Sequence, residues 1–205
     1  PYEQNGYITF GCFNNFMKIN SFVIHTWAQI LLQCPRSRLL LKSSFKIECS
    51  ETLSRFFALF TAQGIPVDRL QFLPFSASKE EHLTLYDQID ISLDPFPFCG
   101  HITTLESLWM GVPVVTLEGQ TAFGRASSSF LKLLNLEELI AKTPEEYRGI
   151  ALHLATDTEL LNSLKQNLCS QVITSSLSDV KRYIQDLESI YKKIWEIFKQ
   201  NAAGL

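Results

Sequence analysis

The residues Gly100-His101-Ile102-Thr103-Thr104 stand where an apolar run gives way to a segment of helical period. The free N–H groups of a helix's first turn and its dipole make such a junction an anion site. Glycine lets the backbone approach a phosphate, and the hydroxyls of Thr103 and Thr104 add donors. On these residues alone a second reading stays open, with one threonine capping the helix and His101 packed in the loop. Glu106, two residues on, carries a carboxylate able to accept from both hydroxyls of a ribose, or one that merely complements the helix dipole. Asp94 follows the preceding apolar run and either faces a ligand or shapes the Asp94-Pro95 turn.

Two further loops carry polar chemistry. Asn14-Asn15-Phe16-Met17-Lys18 offers a cation to a departing diphosphate and amides to its oxygens, against the plain alternative of a solvated lysine. The stretch 76–82 ends in His82, one turn into a helix, facing a base, a ribose or solvent.

Alternating strand and helix signals must position these groups. Strands are predicted at 7–10, Arg38–Lys42, Leu70–Leu73, 89–93, Val114–Leu117 and, short, 139–141. Helices are predicted at 21–33, 50–63 with Gly64 as its left-handed cap, 78–88, 102–110, 125–134, 143–156, 158–169 and 178–200. Ser78 and Thr143 each begin a capping box, the latter with Pro144 at the first helical position. This is an α/β pattern in which the loops after strands one, three and four open on one sheet edge. The apolar face of 178–200 reads as mostly core, with part of it left uncovered.

A length of 205 residues fits one domain, 1–205, closed by helices over 143–200. A net charge of −3 without a basic stripe excludes nucleic acid as a partner, and no apolar run is long enough to span a membrane. Five scattered cysteines without a paired motif suggest neither disulfides nor a zinc site, so the expected compartment is the reducing cytoplasm. The start, Pro1-Tyr2-Glu3-Gln4, lacks a signal-peptide pattern and a Met, as in a fragment or processed chain.

The stretches 10–19, 79–82 and 100–116 together resemble the C-terminal lobe of O-GlcNAc transferases and their bacterial relatives, and the related SPINDLY group shares the Phe-Gly-x-Phe-Asn-Asn motif. Further similarity at 37–42, 138–141 and 187–195 extends this over nearly the whole chain. The resemblance implies a Rossmann-like parallel sheet flanked by helices, the donor-binding lobe of a two-lobed GT-B enzyme. It further implies a missing N-terminal catalytic lobe and tetratricopeptide repeats, and an inverting reaction that needs neither metal nor cofactor. The donor would be UDP-GlcNAc or another nucleotide sugar, and the acceptor a Ser or Thr hydroxyl of a protein. In that family Lys18 matches the catalytic lysine on the diphosphate, and Asn15 a position often Gln. Ala77, Ser78 and Lys79 match the stretch that meets uracil, His82 the histidine beside it, His101, Ile102 and Thr103 the phosphate turn, and Glu106 the ribose acid. Ile102 stands where Thr is usual and Glu106 where Asp is usual. The alternatives are a GDP-fucose-type O-fucosyltransferase lobe, a non-catalytic nucleotide-sugar-binding module, and an epimerase on a related fold.

Overall fold

A computed structural model describes residues 1–43 and 50–203. Cys49 and the rest of 44–49 lie outside the described residues. Among the described residues six parallel strands form one sheet in the order β3-β2-β1-β4-β5-β6: β1 (Thr9–Cys12), β2 (Arg38–Lys42), β3 (Leu70–Leu73), β4 (Ile91–Leu93), β5 (Val114–Leu117) and β6 (Ile140–Ala141). Parallel strands need crossovers, and the helices that supply them cover the sheet, so Phe10, Leu39, Leu41, Ile91 and Val115 are buried in one core. The chain runs outward from β1 to β2 and β3, then restarts at β4 on the other flank. The crevice between the C-terminal ends of β1 and β4 is therefore the topological switch point.

Local signals set most boundaries. The Asn20 side chain accepts from Phe22 N and Val23 N and opens α2 (Ser21–Gln33), after the short α1 (Tyr2–Asn5). α2 buries Val23, Ile24, Trp27, Ile30 and Leu31 and packs on α7 (Pro144–Thr156). The other helices are α3 (Ser50–Thr61), α4 (Lys79–Thr84), α5 (Ile102–Trp109), α6 (Ala122–Leu133), α8 (Thr158–Thr174) and α9 (Val180–Ala203). Both capping boxes form with a shifted return arm. Ser78 and Thr143 accept from Glu81 N and Glu146 N, but the two glutamates accept from Ala77 N and Lys142 N, one residue further back.

The structure corrects several expectations. β1 lies at Thr9–Cys12, two residues beyond the predicted 7–10, because its register pairs Thr9 with Arg38 and Cys12 with Leu41. Gly11 belongs inside it, where a Cβ would collide with the buried Ile89 side chain. The α4 helix stops at Thr84 and continues as a 3-10 turn to Gln88. α6 starts at Ala122, capped by Thr121, and α8 runs on to Thr174.

The largest correction concerns α9. Its residues are exposed nearly throughout, with Leu187 half-buried and the stacked pair Trp195 and Phe198 at 57% and 60% exposure. α7 and α8 supply the buried Tyr147, Ala151, Leu161, Leu164 and Leu168 to the core, and among the described residues α9 adds none.

Candidate functional site

The loop after β4 and the start of α5 are built around a buried acid. Asp94 is 1% exposed; its Oδ1 accepts from Gly100 N at 2.6 Å and its Oδ2 from the Thr116 hydroxyl at 2.7 Å. Burial raises its carboxyl to about 6, against the pull of nearby hydroxyls, the Gly100 N–H and Lys18. Its carbonyl takes the Tyr147 hydroxyl at 3.0 Å, and that oxygen accepts from Trp27 Nε1 at 3.1 Å, which ties the loop to α2 and α7. Asp94 is thus the loop-shaping residue. A Cβ on Gly100 would overlap the Thr103 and Thr104 hydroxyls and Asp94 Oδ1, so only glycine lets this turn close.

α5 begins at Ile102 with no side chain capping it, which leaves its first N–H groups facing the crevice. Thr103 projects there; its hydroxyl donates to Asn14 Oδ1 at 3.0 Å. Thr104 does not. It is buried, with its hydroxyl 2.8 Å from Ser127 Oγ, and its role is to lock α5 to α6 rather than to meet a ligand. Ile102 is 68% exposed and contributes only backbone polarity to the cleft.

The loop after β1 brings the cation. Lys18, at the end of a 3-10 turn that Asn15 caps, donates to Asn14 Oδ1 at 3.0 Å and to the Cys99 carbonyl at 2.9 Å, with Nζ 4.6 Å from the Phe98 ring centre. Asn14, Asn15, Lys18, His82, His101, Ile102, Thr103 and Glu106 line one cleft of about 410 Å³ at the switch point. Eight residues from the loop after β1, from α4 and from the start of α5 thus meet in one cleft.

Glu106 ends the cleft. Its Oε1 pairs with Lys79, while Oε2 accepts from His82 Nε2 at 3.0 Å and from the Tyr86 hydroxyl at 3.3 Å. Beside it Ala77, Ser78, Lys79 and His82, with Lys42 and Phe75, line a second pocket of about 300 Å³. The Ser78 hydroxyl is committed to capping α4, so Ser78 offers that pocket its backbone. His82 is the shared wall. Among the described residues no group of three or more His, Cys, Asp or Glu is arranged to hold a metal ion, and no helix is long and apolar enough to cross a membrane.

Sequence reasoning missed Lys42, Tyr86, Phe98 and Ser127. The signal for Lys42 was present: a lysine closing the apolar run Leu39-Leu40-Leu41 at a strand's C-terminal end. Tyr86, Phe98 and Ser127 carried no local signal, since only the tertiary fold brings them to Glu106, Lys18 and Thr104.

Comparison with known proteins identifies the family. The model of glycosyl transferase family 41 matches residues 3–187. The Petunia hybrida protein described as a probable UDP-N-acetylglucosamine–peptide N-acetylglucosaminyltransferase SPINDLY is 37% identical over 195 residues, covering 95% of this chain and 21% of its own length. The UDP-N-acetylglucosamine–peptide N-acetylglucosaminyltransferase of Caenorhabditis elegans is 33% identical over 94% of this chain and 16% of its own. A substituted form of the Thermobaculum terrenum O-GlcNAc transferase superposes with a TM-score of 0.86 at 39% identity, over 93% of this chain and 36% of that one. The chain therefore spans about a fifth of the length of these SPINDLY relatives. With a family model over most of its length and this site at its switch point, the chain belongs to glycosyl transferase family 41.

Proposed function

We propose that this chain is the donor-binding lobe of an inverting, metal-independent glycosyltransferase that moves GlcNAc from UDP-GlcNAc to Ser or Thr hydroxyls of proteins. The observation that carries the reading is the meeting of Lys18 Nζ and the Thr103 hydroxyl on Asn14 Oδ1, at the uncapped N-terminus of α5. There the nucleotide's diphosphate accepts from Lys18, Thr103 and the first N–H groups of α5, with His101 and Asn15 flanking it. Glu106 takes the ribose hydroxyls. Ala77, Ser78 and Lys79 present backbone to the base beside His82.

In the transfer, the acceptor hydroxyl oxygen bonds to the anomeric carbon from the side opposite the diphosphate and releases its proton to water. The bond from that carbon to the bridging oxygen breaks, and its electron pair stays on the diphosphate. The charge that builds there meets an ammonium and helix-end N–H groups already in place, which lowers the barrier without reorganisation. On this reading the 1–205 segment is one nucleotide-sugar-binding unit. The full protein adds a second Rossmann-like lobe with acceptor contacts and tetratricopeptide repeats, and works in the cytoplasm.

The test is Lys18→Ala in the full-length enzyme. Turnover falls at least about a hundredfold while the donor dissociation constant rises less than about tenfold, because Lys18 interacts most strongly with the developing charge. Equal losses in both would remove the leaving-group role.

A further inference from the structure

The buried cation that closes β2 has no part in the diphosphate chemistry. Lys42 is 1% exposed, and lysine is almost never so buried without a partner. Its Nζ lies 2.9 Å from His82 Nδ1, and the opposite ring nitrogen, Nε2, lies 3.0 Å from Glu106 Oε2. The three groups form one line from the core to the cleft.

Donor counting fixes the protons along that line. An ammonium has three donors and no acceptor, so the contact is a hydrogen bond only if Nδ1 holds a lone pair. The ring proton then sits on Nε2, where it donates to the Glu106 carboxylate. The reverse tautomer would set Nδ1–H against an ammonium and an Nε2 lone pair against a carboxylate. We infer that Lys42 is a positioning residue that donates to His82 Nδ1, locks the ring in its Nε2–H tautomer together with Glu106 on the opposite nitrogen, and so holds one oxygen of Glu106 in place at the edge of the cleft. Phe13 and Tyr86 pack against the imidazole and keep its plane. Burial lowers the Lys42 ammonium, while the charges of Glu106 and Glu81 act to keep it protonated. The tautomer stands on geometry alone; its consequence for ribose binding rests on the proposed donor site.

Side-chain 15N NMR of His82 in the 205-residue chain at neutral pH tests the inference. The wild type shows an unprotonated Nδ1 and a protonated Nε2; a proton on Nδ1, in either a neutral or a doubly protonated ring, overturns the assignment whatever any variant does. Lys42→Met removes the donor to Nδ1 and moves that nitrogen's 15N shift while Nε2 stays protonated against Glu106, and Lys42→Arg keeps a donor there; an Nδ1 shift unchanged in Lys42→Met refutes the role of Lys42. Titration with UDP and with UDP lacking both ribose hydroxyls supplies the second readout. In the wild type the missing hydroxyls weaken binding about tenfold, and in Lys42→Met the difference shrinks to about twofold. An undiminished difference in Lys42→Met refutes the positioning of Glu106. Absence of UDP binding in a wild type with the expected tautomer refutes the donor site and leaves the tautomer assignment intact.

Discussion

Replacing Asp94 with asparagine separates what this residue contributes to stability from what it does for the site. Folding raises its carboxyl from 3.8 to about 6, mainly by removing it from water. A group whose folded value is raised contributes stability that is fully present below pH 3.8 and lost as pH rises through about 6. That interval, at about 1.4 kcal/mol per pH unit, amounts to about 3 kcal/mol withdrawn from the wild type at neutral pH. Asparagine fills the same volume and does not titrate. Its amide oxygen can still accept from Gly100 N, and the Thr116 hydroxyl can turn to accept from its NH₂, so the variant forfeits only the charge assistance of those bonds, about 1 kcal/mol. The balance favours Asp94→Asn by about 1–3 kcal/mol at pH 7.5 and by nothing at pH 3.5. Urea unfolding of both proteins at the two pH values measures this directly. A variant less stable by the same amount at both would show that the buried carboxylate carries no desolvation cost, and the reasoning would fail. An acid held at such a cost beneath the Gly100 turn is what a site kept for function looks like.

Two other predictions follow from packing. Gly11→Ala pushes a methyl into the buried Ile89 side chain at the centre of the sheet and lowers stability by about 1–3 kcal/mol; an unmoved urea midpoint would contradict the close approach of β1 to Ile89. Ending the chain at Asp179 removes α9, whose apolar side covers little of the core, so the unfolding midpoint stays within about 0.5 kcal/mol equivalent while any self-association drops. A collapse of the midpoint would show that α9 is core after all.

Particular residues show where sequence was enough. β2, β3, β5 and α2 have the predicted limits because apolar runs, the Asn20 cap and Pro113 are local signals. β1 was displaced because Gly11 reads as a strand end, although it is a strand interior that Ile89 crowds. The α9 error has another origin: an apolar stripe at helical spacing reports that a face wants cover, not where the cover lies. For Thr104, proximity to Gly100 suggested a ligand contact, but one turn before the buried Leu108 it shares the inward face of α5. Lys42 went unread because a lysine at a strand end ordinarily reaches water, and only the fold shows His82 standing in its way.

The central claim, that the cleft between β1 and α5 holds a diphosphate, is tested most directly by calorimetric titration of the 205-residue chain with UDP and with uridine. A single UDP site at least about tenfold tighter than uridine is the result the charge-assisted donors of Lys18, Thr103 and the α5 N-terminus predict. Equal affinity for the two, or no heat with UDP, would contradict it.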